Sequence, residues 1–598
     1  MDTQKGSSKL SATLLALILG ASVFMAGPVW AAKYVTDPTT GKVVTAPDYG
    51  GTLTYVYALF GKNTDPSIEG GWAGFQLSGV NENLVQGDWG LPRDEFSFTG
   101  NFVPTSTFRG NLAESWEQPD DRTFIVKIKP GIHWHDKAPM NGRELTAEDV
   151  AWAYRRHSGL LDWKPEYTAT LFGLPWESIE ATDKYTVVFK LTEPRLGMAR
   201  AILAENTAWV LPRDVIEQHG DYTDWRNVVG TGPFMLTQHV ENVSMTRTRN
   251  PNYHGFDEKY PDNRLPYVDE VKALFMKEAA TRLAAMRTGQ VDMYHRFGGG
   301  TTIGKVEVVN ALLRTNPGIQ VGTYFQRALQ VSGLNIRKPP FDDIRVRTAM
   351  QMALDRDAIN DSYYGGFSQR KPSGYFGNAS GPAYTPFEEW PKQLQDEYSY
   401  NPEKAEQLLD EAGYPRNADG VRFEVTYDFR NIEVIDLGYV EIAAGYWKEI
   451  GVEVEINIHD TGSWVPRRVN GLYDMTTGDQ AWDQDISVIF GWYGNLVEGR
   501  KSHLTEYMGG VPDPTLIRLY HAFNAATGES EQIRIAKEFD LYALSQHFQV
   551  FGFKSAQYQV AQPWVKGWNG ESFLQEQGDV QVFARLWLDR QLKKEMGF

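Results

Sequence analysis

The chain of 598 residues contains no cysteine. That absence excludes disulfides, thiolate zinc sites, thiol nucleophiles and a lipid-attachment cysteine behind an export signal. Basic clusters are equally scarce: 59 Lys and Arg face 76 Asp and Glu, a formal net charge of −17, and no Lys/Arg run tracks a phosphate backbone. Nucleic acid is excluded as an expected partner. Neither a G-x-S-x-G nucleophile elbow nor an H-E-x-x-H helix occurs, so the two commonest motif-readable hydrolase centres are absent. Long apolar runs are limited to Leu10–Ala26, which contains Ser and Gly and falls short of the roughly 20 strongly apolar residues a spanning helix needs.

What is present begins with an export pattern. Lys5 and Lys9 form a basic start, the apolar stretch follows, and Val29-Trp30-Ala31 offers a cleavage site, so residues 1–31 read as a signal peptide cut after Ala31. Its loss removes Asp2, Lys5 and Lys9, and the mature chain remains acidic. Export without a lipid cysteine points to a protein free in a bacterial periplasm. The length is too great for one hydrophobic core and predicts two or three domains.

Local patterns are clear along much of the chain. Residues 51–60 read as a buried strand, and Phe124, Val126 and Ile128 alternate before a Pro130-Gly131 turn, a hairpin pattern. Thr146 followed by Glu148 and Asp149 marks a helix start running to Arg156. Residues 185–191 predict a strand, and 234–240 with 244–249 a second hairpin across Glu241-Asn242. Residues 278–288 predict a helix with Ala279, Leu283 and Met286 on one face and Gly289 at its stop. Ile344–Leu354 is helical, Asn401-Pro402 caps another helix that ends at Gly413, and residues 423–429, 436–450 and 452–458 read as a β-α-β unit with parallel strands.

One tetrapeptide, His133-Trp134-His135-Asp136, packs three potential ligand or acid-base groups together. Strand alternation would place both histidines on one face. Zinc, however, wants a third and fourth protein ligand that the neighbouring sequence does not name, so a hydrogen-bonded structural histidine is the expectation and no metal or cofactor is expected.

Five ordered stretches, LAESWEQPDDRTFIVKIKPGIHWHD with LTAEDVAWAYRR, VGTGPFMLTQHV with RNPNYHG, AATRLAAMRTGQVDM, LNIRKPPFDDIRVRTAMQMALDRDAI and YNPEKAEQLLDEAGYP, span about residues 110–450. Together they resemble the family 5 extracellular solute-binding proteins of bacterial ABC importers, the peptide, dipeptide and nickel-binding group. The resemblance implies an α/β, two-lobed periplasmic binding protein fold (type II, cluster C-like), with an extra domain inserted in the first lobe. It implies a first lobe of residues 32–75, 192–328 and 552–598, an inserted domain over 76–191 and a second lobe over 329–551. It also implies that the proline-glycine hairpin carrying His135 and Asp136 is scaffold rather than site.

In peptide-binding members a second-lobe carboxylate pairs with the peptide α-ammonium, after a strand of Tyr473-Asp474-Met475 type. Counted onto this chain, that acid is Asp483, beside Trp482, with Asp485 as the fallback and Trp492 and Tyr493 as aromatic neighbours. The family more often carries its aromatic three positions before the acid, where this chain has Gln480, which leaves the ligand class open. The expected function is therefore capture of an oligopeptide or dipeptide by a monomeric, non-enzymatic receptor that delivers it to the importer's permease subunits. An oligosaccharide is the alternative ligand, a metal chelate ranks lower with 11 histidines, and an exported hydrolase built on paired acids is the rival class.

Overall fold

A computed structural model describes residues 34–598 apart from 38–40, 42, 58–62, 70–76, 100–102, 104, 162–170, 172–173, 195–201, 204–207, 296–301, 326–330, 432–435, 479–485, 487–489, 491–505, 511, 527, 553 and 573–579. The chain divides at Ala46 into a short amino-terminal unit and a large unit, Pro47–Phe598. Within the first, Tyr34–Thr36 and Val43–Thr45 pair as an antiparallel ribbon.

The large unit carries three principal sheets. Taken in chain order, their strands are β1 Thr52–Tyr57, β2 Ala113–Glu117, β3 Thr123–Ile128, β4 Trp176–Asp183, β5 Thr186–Leu191, β6 Phe234–Val240, β7 Ser244–Arg249, β8 Glu270–Phe275, β9 Met293–Tyr294, β10 Gln320–Phe325, β11 Val331–Leu334, β12 Ser368–Gln369, β13 Phe423–Arg430, β14 Val452–His459, β15 Met475–Thr477, β16 Gln549–Phe551 and β17 Lys554–Ala561. The largest sheet runs β6-β7-β8-β1-β9-β17-β10, with β12 added on β17. The second runs β14-β13-β15-β11-β16, and the third, β2-β3-β5-β4, is wholly antiparallel.

Helices used below are α1 Ala147–Ser158, α2 Ala279–Arg287, α3 Val306–Thr315, α4 Ile344–Met352, α5 Arg356–Ser362, α6 Pro402–Glu411, α7 Leu437–Glu449, α8 Thr461–Val469 and α9 Arg590–Glu595. Helix α1 starts where its sequence says it should: Asp149 Oδ2 accepts from the Thr146 backbone N–H at 2.9 Å, a capping box that Arg143 reinforces at 2.8 and 2.6 Å. The β6–β7 hairpin turns at Asn242, whose φ of 53° is the left-handed conformation asparagine tolerates. Strands β13 and β14 are parallel over their full length with α7 as the crossover, as the alternation of 423–429 and 452–458 predicts.

Two expectations fail. Past the turn at Gly131 the chain makes only an isolated bridge, His133 to Glu144, so side chains do not alternate: Trp134 and His135 are both buried and His133 is exposed. The reason is a contact about a hundred residues away, for His135 N–H donates to Gly230 O at 2.8 Å and its Nε2 lies 3.0 Å from Gly232 O. The two histidines are thus not on one face. On α2 the inward face is Arg282, Ala285 and Met286, with Ala279 exposed, because the Arg282 guanidinium is satisfied by Met276 O, Lys277 O and the Tyr294 hydroxyl.

The chain leaves the largest sheet for the second between Phe325 and Val331, lends the short strand β12 back to the largest sheet, and after β16 rejoins it between Phe551 and Lys554. Separate apolar cores accompany them. Val56, Met286, Val309, Leu312 and Val560 close one face of the largest sheet under α2 and α3. Leu334, Val346, Met350, Leu409, Tyr427, Ala443 and Trp447 fill the second sheet against α4, α6 and α7.

Candidate functional site

Ligands of open α/β sheets sit beyond the carboxyl ends of parallel strands. In the second sheet those ends belong to β13, β14 and β15, all mutually parallel, with Tyr427 opposite Met475, Asp428 opposite Thr476 and Arg430 opposite His459. The side chains there are tied to one another. Asp428, 1% exposed, accepts from Arg467 Nε at 2.5 Å, with His459 Nε2 3.3 Å away. Trp464 Nε1 donates to Thr476 Oγ1 at 2.9 Å, and the Arg430 backbone N–H donates to Thr477 Oγ1 at 3.0 Å. The Arg430 guanidinium lies over the Trp464 ring at 5.1 Å. At the base of β15, Asp474 accepts from Thr426 N–H and Oγ at 2.9 and 2.8 Å and pairs with Lys338 at 2.5 Å. Burial would raise that carboxyl, but the Lys338 ammonium and the Thr426 bonds outweigh it and hold it below its ordinary range. The polar groups of this strand edge are thus largely committed to one another.

A small recess opens where elements of the two mixed sheets meet. One wall is β17, through Ala556 and Tyr558, and the start of α3, through Lys305 and Glu307. The facing wall is Tyr363, Tyr364 and Phe367 beyond α5, and Asp436, which caps α7. Backbone pairing fixes the walls: Ile303 and Tyr558 exchange N–H···O bonds of 2.8 and 2.9 Å, and β12 pairs with β17 at Ser368–Ser555. Asp436 accepts from the Gly438 N–H at 3.1 Å, from the Tyr363 hydroxyl at 2.8 Å and from the Tyr364 hydroxyl at 3.5 Å. A Cβ at position 438 would stand 2.3 Å from the Tyr363 hydroxyl, so glycine there permits the contact. Burial first, and the Asp436 charge next to them, hold both hydroxyls well above the usual tyrosine range, which keeps them protonated donors.

The five residues expected at the ligand, Trp482, Asp483, Asp485, Trp492 and Tyr493, lie outside the described residues. Among the described residues no group of three or more His, Asp or Glu side chains could hold a metal ion, and no helix is long and apolar enough to cross a membrane. Sequence reading did not single out the recess. Asp436 was legible only as a helix start, and nothing in the local sequence ties Tyr363 or Asp436 to Tyr558.

Two mixed sheets, both built by strands from separate stretches of one chain and each with its own core, define the two-lobed binding-protein class. The fold is shared with the ABC transporter-associated periplasmic binding protein DppA from Helicobacter pylori in complex with the peptide STSA, at a TM-score of 0.68 and 19% identity, covering 91% of this chain and 99% of that one. It is shared equally with AgaA of A. tumefacien R10 in complex with agropinic acid, at a TM-score of 0.67 and 20% identity, covering 90% and 99%. In sequence, the periplasmic oligopeptide-binding protein OppA of Haemophilus influenzae is 26% identical over 505 residues, 78% of this chain and 84% of that protein. Residues 107–496, well over half the chain, match the family described as bacterial extracellular solute-binding proteins, family 5 Middle. The chain belongs to that family.

Proposed function

We propose that the chain is the solute-capturing receptor of a bacterial ABC importer, that it works in the periplasm after export, and that its solute is an oligopeptide or dipeptide. The observation that carries this reading is the family match over residues 107–496. The names of a relative and of a fold neighbour, oligopeptide-binding and peptide-bound respectively, support the ligand class. Such a receptor holds its solute as a monomer, converts nothing, and hands it to the permease subunits.

In this reading residues 32–75, 192–328 and 552–598 form one lobe, 76–191 an inserted domain and 329–551 the other lobe. The passages from Phe325 to Val331 and from Phe551 to Lys554, which join the long strands of the two sheets, then serve as the hinge. A ligand touching both lobes favours the closed arrangement by its differential affinity for it. Asp483 is the counter-ion of the peptide α-ammonium, with Asp485 in reserve, and Trp482, Trp492 and Tyr493 supply aromatic walls.

Asp483→Asn preserves shape while removing that charge. Calorimetry with trialanine should show affinity falling by about two orders of magnitude, on the scale of roughly 3 kcal/mol for a desolvated charge pair. N-acetylated trialanine should bind the unaltered protein correspondingly weakly. Equal affinity of variant and parent, or tight binding of a neutral oligosaccharide where amines fail, would overturn the peptide reading and leave the receptor reading standing.

A further inference from the structure

The recess between the sheets has the composition of a cation cage. Two carboxylates, Glu307 and Asp436, line it, and neither has a cation within ion-pair distance among the described residues. The rings of Tyr363, Tyr364, Phe367 and Tyr558 complete the walls. Tyr558 is 6% exposed, yet its hydroxyl has no hydrogen-bond partner among the described residues, an orphaned polar group on a wall of the recess. One cation of this chain already samples the site: Lys305 Nζ stands 5.8 Å from the centre of the Tyr363 ring, the range in which an aromatic face attracts an ammonium.

Location connects the recess to the ligand. Asp436 follows the carboxyl end of β13 by six residues, β13 and β15 run parallel so their carboxyl ends lie on the same side of the sheet, and the opposite wall of the recess belongs to the other sheet. A ligand held between the sheets can therefore send a side chain into it.

We propose that this recess is a subsite for a basic side chain of the captured peptide, an ammonium enclosed by Asp436, Glu307 and the four rings, with Tyr558 Oη accepting one of its hydrogens. The assignment rests on the peptide reading above. Lys305 holds the place of the ligand's ammonium over Tyr363 and must yield to it. Selectivity arises because a neutral side chain of equal length gains the aromatic contact but leaves the carboxylates without a counter-ion.

The test uses trialanine with one residue at a time replaced by lysine or by norleucine, bound calorimetrically to the full chain. At one position lysine should bind about tenfold or more tightly than norleucine. Asp436→Asn, which retains an acceptor for the Gly438 N–H and so keeps the cap of α7, should bring that ratio close to one. Lys305→Met, at an exposed position, should raise it. If trialanine binds but lysine gains nothing over norleucine at any position, or the ratio is unmoved by both variants, the subsite is overturned while the peptide reading stands. If none of the peptides binds, both fall.

Discussion

Glu82 shows how a single buried charge is tolerated and what it contributes. Its side chain is almost wholly enclosed, yet His254 Nε2 at 3.1 Å, the Tyr253 hydroxyl at 2.9 Å, the Thr231 hydroxyl at 2.8 Å and Asn111 Nδ2 at 3.1 Å all donate to it. Burial alone would raise its pKa, but the His254 charge and the three side-chain bonds from His254, Thr231 and Tyr253 lower it from 4.5 to about 2. A carboxyl depressed in the folded state stabilises the fold above its unfolded pKa, and that contribution drains away as pH falls from about 4.5 toward 2. Glu82→Gln leaves the donors facing a neutral amide and should cost about 3 kcal/mol at pH 7. Melting curves from pH 7 to pH 2 should show the variant losing less than the parent over the acid range; parallel curves would mean that Glu82 is not the titrating group. His135 carries the converse lesson. Its burial lowers it to about 4, and the partners that put it in the core, Gly230 and Gly232, are invisible to any local reading.

At the scale of elements, legibility followed the range of the forces. The β13-α7-β14 unit, the β6–β7 hairpin and the capped start of α1 are each set by residues within one element or its neighbour, so periodicity and capping residues identify them. The face of α2 and the end of the first hairpin depend on distant partners, and there the pattern misleads. The recess belongs to the second kind, since its walls come from residues near 305, 363, 436 and 557. Helix α9 offers a test of such long-range fitting. Lys593 Nζ lies 2.8 Å from Asp292 Oδ1, and the Phe598 ring covers Gly289, where φ is +66° and a Cβ would meet the ring at 2.2 Å. Gly289→Ala therefore combines left-handed backbone strain with a steric clash, and should lower stability by about 2 kcal/mol. Combined with Phe598→Ala, the added cost of Gly289→Ala should fall to about 1 kcal/mol, the backbone part alone. Additive effects in chemical denaturation would show that the ring does not press on the glycine.

For the whole molecule, the proposed hinge makes two observables move together. Saturating trialanine should reduce the radius of gyration in solution scattering and raise the melting temperature, with about 2.7 kcal/mol of added stability at one hundred times the dissociation constant. A melting shift without compaction would mean that the solute binds one lobe and the two sheets do not move against each other.

The place of β17 has a consequence for biosynthesis. All eight of its residues are buried, and it lies between β9 and β10, strands made more than two hundred residues earlier. The strand β10 thus has no partner in the largest sheet until residues 554–561 leave the ribosome. Pairings of such sequence separation form slowly, because loop closure precedes the contacts that reward it. The order of strands therefore makes completion of the largest sheet one of the last steps of folding, whatever pairs earlier.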